Sequence, residues 1–283
     1  LTILFLVRQL NRPLKRLQKV AIDYITLGHA NNLATNEGST EIRQVNLAFN
    51  RLFHNLTQTQ KERNIMLAGI SHDLRTPLTR MRLTAEMLPD EFLREGLVYD
   101  IEDMDAILEQ FISFMKDGSD EAVRLTNLKP IINEIVVQFA PLPFVIDIAE
   151  DLPSVPLRPL SIKRLIVNLV NNASRYGKPP IHIGIHIETS KDNGADVLVL
   201  PKYLMIAVSD EGEGVAEDQL ERIMQPFERG ETARTTQGSG LGLAIVSRIT
   251  HLHNGTIIAK YEVTQGGLEV FIKITIIDEW LID

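Results

Sequence analysis

The chain has 283 residues, 44% of them hydrophobic and 23% charged, an ordinary globular balance with length for two domains and a smaller third module. A formal net charge of -8 excludes the broad basic face that nucleic-acid binding needs, so no nucleic-acid partner is expected. The absence of cysteine excludes disulfide staples, thiolate metal sites and cysteine nucleophiles, and it suits a reducing compartment.

The chain opens on Leu1, and only Leu1 to Val7 is free of charge. That run is far short of the roughly 20 residues a membrane-spanning helix takes. Arg8, Arg12, Lys15 and Arg16 follow at once. A cut-off apolar run ahead of basic residues predicts the cytoplasmic end of a transmembrane helix over 1–10. A greasy core segment is the alternative. Leu14, Leu17, Ala21 and Tyr24 then recur at helical spacing, and after the turn-rich stretch Leu27 to Asn32 the spacing resumes at Ile42, Val45, Phe49, Leu52 and Leu56. Two short heptad helices with an irregular connector are expected over 11–60, and a parallel dimer would cover both stripes.

A longer helix is predicted from Met66, Ile70, Leu74, Leu78, Met81, Ala85 and Leu88, ended by Pro89-Asp90. Leu97, Ile101, Met104, Leu108, Phe111 and Met115 give it a partner helix, which Asp117 to Asp120 stops. One such hairpin over 61–120 supplies half a bundle core, so the pattern asks for a homodimeric four-helix bundle. Within the first helix stands Ser71-His72-Asp73-Leu74-Arg75-Thr76-Pro77-Leu78. At 100° per residue, His72 lies about 200° from both Ile70 and Leu74, away from the seam. A lone exposed histidine is most often ordinary surface. Here Asp73 can take a proton or orient the imidazole, and Thr76 lies one turn on along the same face. Pro77 leaves the carbonyl of Asp73 without its helical partner, at a cost of about 3 kcal/mol. A local rule broken beside an acid–base pair points to function rather than folding.

From about Asn127 helical patterns alternate with β-rich runs at 181–187, 203–208 and 268–277, which predicts an α+β sandwich with helices on one face of a sheet over 121–283. Asp192-Asn193-Gly194 marks a loop or hairpin tip. Ile162, Leu165, Ile166, Leu169, Val170 and Ala173 form one face of a helix, with Asn168, Asn172 and Arg175 on the other and Tyr176-Gly177 at its end. The asparagines fit a solvated face, or hard neutral ligands for a metal–phosphate group. Asp210, Gly212 and Gly214 at a strand end fit an acidic turn, or close approach of a flat ligand. Gly238, Gly240, Leu241 and Gly242 open an apolar helix, whose free N–H groups favour phosphate. A dinucleotide fold fails on spacing, and no Gly-x-x-x-x-Gly-Lys-Ser/Thr loop is present. His251 and His253 lack a ligand set and read as helix-end residues ahead of Asn254-Gly255.

The order of these segments resembles the sensor histidine kinases: an H-box at Ser71 to Leu78, an N-box at Asn168 to Asn172, a G1 box at Asp210 to Gly214, an F-box at Pro226-Phe227 and a G2 box at Gly238 to Leu243. Within that family the H-box run to Arg80, Pro159 to Arg164 and His253-Asn254-Gly255 resemble the EnvZ type of osmosensor. The resemblance implies a multidomain chain: an all-α HAMP module and a dimeric four-helix bundle, then an α+β sandwich ATP-binding domain of the Bergerat kind. It implies His72 as phosphoacceptor, Asp73 as general base and Thr76 as the residue that positions water for dephosphorylation of the regulator. It implies ATP and Mg²⁺ as cofactors, with Asp210 on adenine, Tyr176 near the base, Asn172 on the metal beside Asn168, and the second-box glycines on phosphate. Arg175 and Phe227 join that set, and Arg234 would neutralise phosphate charge under a lid over 225–240. The implied partners are a second copy and a response regulator of the OmpR type, at a bacterial inner membrane with this portion cytoplasmic. The stretch from Lys178 to Lys202, Glu213 and Asn171 depart from the pattern. A gyrase- or Hsp90-like ATPase is the rival, and it needs no phosphoacceptor. A non-catalytic scaffold is the other, and it needs no nucleotide boxes.

Overall fold

The computed structural model describes residues 12–21, 32–36, 38–116, 118, 121–189, 202–228, 239–261 and 267–276. It divides into two compact units, Leu1–Arg80 and Met81–Asp283, so the division falls inside a helix. The apolar run 1–10 and the tip at Asp192 to Gly194 lie outside the described residues. No described helix is long and apolar enough to cross a membrane.

In the first unit, residues 12–21 form helix α1. Residues 32–36 form an irregular connector held to the next helix, α2 (Thr40–Glu86). Asn50 clasps the main chain of Leu33 on both sides: its Oδ1 accepts from Leu33 N at 2.9 Å and its Nδ2 donates to Leu33 O at 2.9 Å. Buried Asn46 donates to Ala34 O at 2.8 Å. These side-chain amides replace the backbone partners that a connector without secondary structure lacks. The helix over 42–56 and the one over 66–88, expected as separate, are one continuous helix. The residues between Leu56 and Met66 contain neither glycine nor proline, and Gln58 donates to Glu62 one turn on at 3.0 Å.

The second unit holds the last turn of α2 and helix α3 (Glu91–Met115). Asp90 caps α3, its side chain accepting from Leu93 N at 3.1 Å. Arg82 bridges to Glu102 at 3.1 Å. Beyond α3 come β1 (Arg124–Thr126), α4 (Leu128–Gln138), β2 (Phe144–Ile148), β3 (Val155–Leu157), α5 (Pro159–Tyr176), β4 (Ile181–Thr189), β5 (Lys202–Ser209), the short α6 (Leu220–Ile223), α7 (Gly242–Leu252), β6 (Gly255–Tyr261) and β7 (Leu268–Ile276). The larger sheet runs β2-β4-β5-β7-β6, with β2 and β4 parallel and the other pairs antiparallel. Strands β1 and β3 pair apart from it. In β4, Ile181, Ile183 and Ile185 are buried while their neighbours are not; β7 alternates likewise. The inward rows meet the apolar faces of α4, α5 and α7 in one continuous core, where Ile132, Ile162, Leu165, Ile166, Ile206 and Ile249 are wholly enclosed. Each such side chain contributes about 1.5–3 kcal/mol. The α+β sandwich expected from the sequence is therefore present, with the helices on one face.

Candidate functional site

His72 lies on α2 with its side chain 83% exposed and Asp73 84% exposed. Its Nδ1 stands 3.3 Å from Asp73 Oδ1. With Nδ1–H donating to that carboxylate, Nε2 carries the lone pair. Thr76 Oγ1 donates to the carbonyl of His72 at 3.1 Å, and Thr79 Oγ1 does the same to Arg75 at 2.9 Å. Between these two back-bonded carbonyls lies that of Asp73, which Pro77 leaves without an amide partner, yet the helix continues through Pro77 to Glu86. The structure thus leaves the His72 imidazole exposed, beside the Asp73 carboxylate, on a helix that contains Pro77.

A second group of predicted residues gathers at one end of the sheet in the other unit. Asp210 follows β5 and is buried at 5% exposure. Its Oδ1 accepts from Gly212 N at 2.8 Å. Burial pushes its carboxyl above the usual carboxylate value, and the amides of Gly212, Leu268 and Lys178 hold that rise partly back. A Cβ on Gly177 would overlap the Asp210 carboxyl, and one on Gly212 would stand 2.8 Å from Asp210 Oδ1. The end of α5 and the turn after β5 thus close on the carboxylate with backbone alone. Gly214 has φ +70, and the Tyr261 ring packs where its side chain would be.

Asn168 on α5 donates through Nδ2 to Arg164 O at 2.8 Å. The helix backbone so fixes the amide, and Oδ1 faces the start of α7, 3.7 Å from where a Cβ on Gly242 would be. Asn172 is half-buried one turn on, and Arg175 and Tyr176 are exposed beyond it. Leu241 is wholly buried and anchors the turn that leads into α7. Gly240 has φ +69, and a Cβ there would stand 2.8 Å from Glu228 O. Phe227 itself adopts φ 67, uncommon for a bulky residue, and donates its N–H to Gly240 O at 3.0 Å. The F-box and G2 segments therefore meet through main chain. Arg234, Gly238 and the middle of the expected lid lie outside the described residues.

Sequence reasoning missed three contributors. Gly177, read only as a helix end, lies against Asp210. Ser239 donates its hydroxyl to Gln110 of α3 and accepts from Leu241 N at 3.2 Å. Glu121, after α3, accepts from the first turn of α5. Each signal lies between distant segments, so no local pattern could reveal it. His251 and His253 do end α7, as expected, and no described group of three or more histidine, aspartate or glutamate side chains could hold a metal ion.

Residues 62–127 match the His Kinase A (phospho-acceptor) domain, and residues 158–276 match the histidine kinase-, DNA gyrase B- and HSP90-like ATPase domain. The chain is 32% identical over 265 residues, 93% of its length, to the sensor histidine kinase GtrS of Pseudomonas aeruginosa. It is 28% identical over 278 residues, 94% of its length, to the sensor protein BasS of Salmonella typhimurium. It spans 52% of the length of GtrS and 74% of that of BasS. Among solved structures, full-length ShkA in complex with AMPPNP shares the fold at a TM-score of 0.55 and 20% identity, over 74% of this chain and 45% of that one. The expected nearness to EnvZ is cut back to membership of the wider family: GtrS and BasS match 93% and 94% of the chain. Carrying a phospho-acceptor domain followed by an ATPase domain of this kind, the chain belongs to the sensor histidine kinases.

Proposed function

We propose that the chain phosphorylates itself on His72 at the expense of ATP and passes the phosphoryl group to an aspartate of a response regulator of the OmpR type. The observation that carries this reading is the exposed His72 imidazole, held 3.3 Å from Asp73 on a helix loosened at Pro77. Asp73 accepts the Nδ1 proton as the Nε2 lone pair forms a bond to the γ-phosphorus. The bond from that phosphorus to the bridging oxygen breaks, and ADP leaves. Positioning and charge neutralisation supply most of such a transfer.

The second site fits the nucleotide. A buried carboxylate walled by Gly177 and Gly212 suits a flat base with an exocyclic amine, and Tyr176 lies at the same helix end. The fixed amide of Asn168 and the adjacent Asn172 offer neutral oxygens, the donor type magnesium accepts. Mg²⁺, when bound, neutralises phosphate charge, and Asn172 is the residue assigned to it. Gly240 and Gly242 at the start of α7 are the backbone positions assigned to phosphate, with Leu241 buried between them and its N–H held by Ser239, and Arg175 lies on the asparagine face of α5.

Several finer readings stand with this one. Thr76 positions water for dephosphorylation of the same regulator. The chain acts as a homodimer, because Ile70, Leu74 and Met81 on α2 and Leu97 and Met104 on α3 are exposed in the single chain. A HAMP module over 11–60 is supported by α1, the clasped connector and the start of α2, and the site of action is a bacterial inner membrane with this portion cytoplasmic. The phosphotransfer hairpin then covers 61–120 and the catalytic domain 121–283. Incubation with γ-labelled ATP and Mg²⁺ tests the core of this reading. Acid-labile, alkali-stable label is expected on the parent and none on His72→Ala; ATP turnover without label, equal in both, would make the chain an ATPase and His72 a surface residue.

A further inference from the structure

Helix α5 begins without a local cap. Its N-cap residue, Arg158, makes no side-chain capping bond, and Pro159 at the first position has no N–H. The two free donors of that turn are satisfied from the connector that leaves α3. Leu160 N donates to Glu121 Oε1 at 2.6 Å, Ser161 N to Glu121 Oε2 at 2.9 Å, and Ser161 Oγ to the same oxygen at 2.7 Å. One carboxylate from elsewhere in the chain thus does the work of a cap, with its charge at the favourable end of the helix dipole.

The main chain of Glu121 is held as well. Arg158, only 1% exposed, donates Nε–H to Glu121 O at 2.9 Å. The backbone N–H of Arg158 donates to His253 Nε2 at 3.1 Å, and His253 Nδ1 donates to Ile249 O at 2.8 Å, so the network reaches the last turn of α7. Two more bonds hold the exit of α3: Arg164 of α5 donates to Lys116 O at 2.8 Å, and Arg248 of α7 donates to Phe114 O at 3.2 Å. Gly118 lies so close to Ser161 that a Cβ would overlap the hydroxyl. The end of α3 is therefore joined to the two helices that carry Asn168, Asn172 and the Gly240–Gly242 turn.

We propose that Glu121 is a positioning residue for phosphoryl transfer. It fixes the orientation of the nucleotide helices to the exit of the phospho-acceptor hairpin, without touching the nucleotide. A purely local cap would stabilise α5 equally but would not tie its first turn to the connector that leaves α3, which the bonds from Arg164 and Arg248 hold only at Lys116 and Phe114. The proposal rests on the autophosphorylation reading above. Displacement of a reacting group by about 1 Å costs on the order of a hundredfold in rate, so a lost tether is read in the rate rather than in binding.

The test compares the intact chain with Glu121→Ala and Glu121→Gln, the second keeping one acceptor oxygen. Three quantities are measured: the initial rate of His72 labelling at saturating ATP, the ATP concentration for half the maximal rate, and AMPPNP affinity by calorimetry. The expected result for Glu121→Ala is a rate at least about tenfold lower, with the half-saturating concentration and AMPPNP affinity within about twofold of the parent. Glu121→Gln should recover part of that rate. Unchanged rates in both variants would overturn the proposal. So would a rate loss matched by lost AMPPNP affinity in both variants, which marks a fold-stabilising cap. An unlabelled parent would instead remove the autophosphorylation reading itself, and the proposal with it.

Discussion

Asp210 is enclosed by glycines that arrive from separate stretches of chain. Gly177→Ala would force a methyl group into its carboxyl, so AMPPNP affinity should fall by at least about tenfold, some 1.4 kcal/mol. Calorimetry of the variant checks this, and unchanged affinity would remove Asp210 from the base site. His253 has a different signature. Burial, and secondarily the charge of Arg158, depress its pKa below the ordinary value of 6.5, against the opposing effects of the Ile249 carbonyl and Glu121. The neutral ring is the folded form, so its stabilising contribution is whole above about pH 6.5; as pH falls below that, the unfolded chain takes up the proton first and stability is lost down to the folded pKa. The melting midpoint should drop between pH 7.5 and 5.5, and His253→Gln should flatten that drop; equal slopes would assign the loss to other groups. Sequence alone marked Asp210 and Gly212, because a carboxylate followed by glycines is a local pattern. It did not mark Gly177 as a neighbour of Asp210 or Arg158 at all, because what each demands is set by a residue on another element.

Among the elements, α2 carries the sharpest conflict between local preference and observed form. Pro77 is retained inside a helix where it costs about 3 kcal/mol relative to alanine. Pro77→Ala should therefore raise helicity and melting temperature while slowing His72 labelling, since the freed Asp73 carbonyl regains its partner. Circular dichroism and labelling rates distinguish this from the outcome in which stability rises and the rate does not change, which would make Pro77 a tolerated defect. Helices α3, α5 and α7 were legible because their apolar residues keep one period between clear stop signals. Strands β4, β5 and β7 were legible from alternation. The join between Leu56 and Met66 was not, because a polar stretch free of breakers can be either linker or helix and only the continuous backbone decides. The edge strands β2 and β6 were missed for a related reason: β2 is five residues long and its burial pattern does not alternate cleanly.

At the scale of the molecule, Leu97 and Met104 are apolar and exposed along α3, the seam positions of the proposed dimer. A charge at the centre of that seam, as in the double variant Leu97→Glu, Met104→Glu, should give a monomer by sedimentation and abolish or sharply reduce His72 labelling. A double variant that sediments with the parent would place the dimer contact elsewhere. The unbroken run of α2 has a further consequence. From Thr40 to His72 it is one rod about 48 Å long at 1.5 Å and 100° per residue. Along such a rod, angular phase is conserved. A single residue inserted after Gln60 turns everything beyond it by about 100° relative to Thr40, whereas seven residues restore the phase to within about 20°. Output plotted against inserted length should therefore rise and fall with the period of the helix, as a key works only at certain turns of the lock.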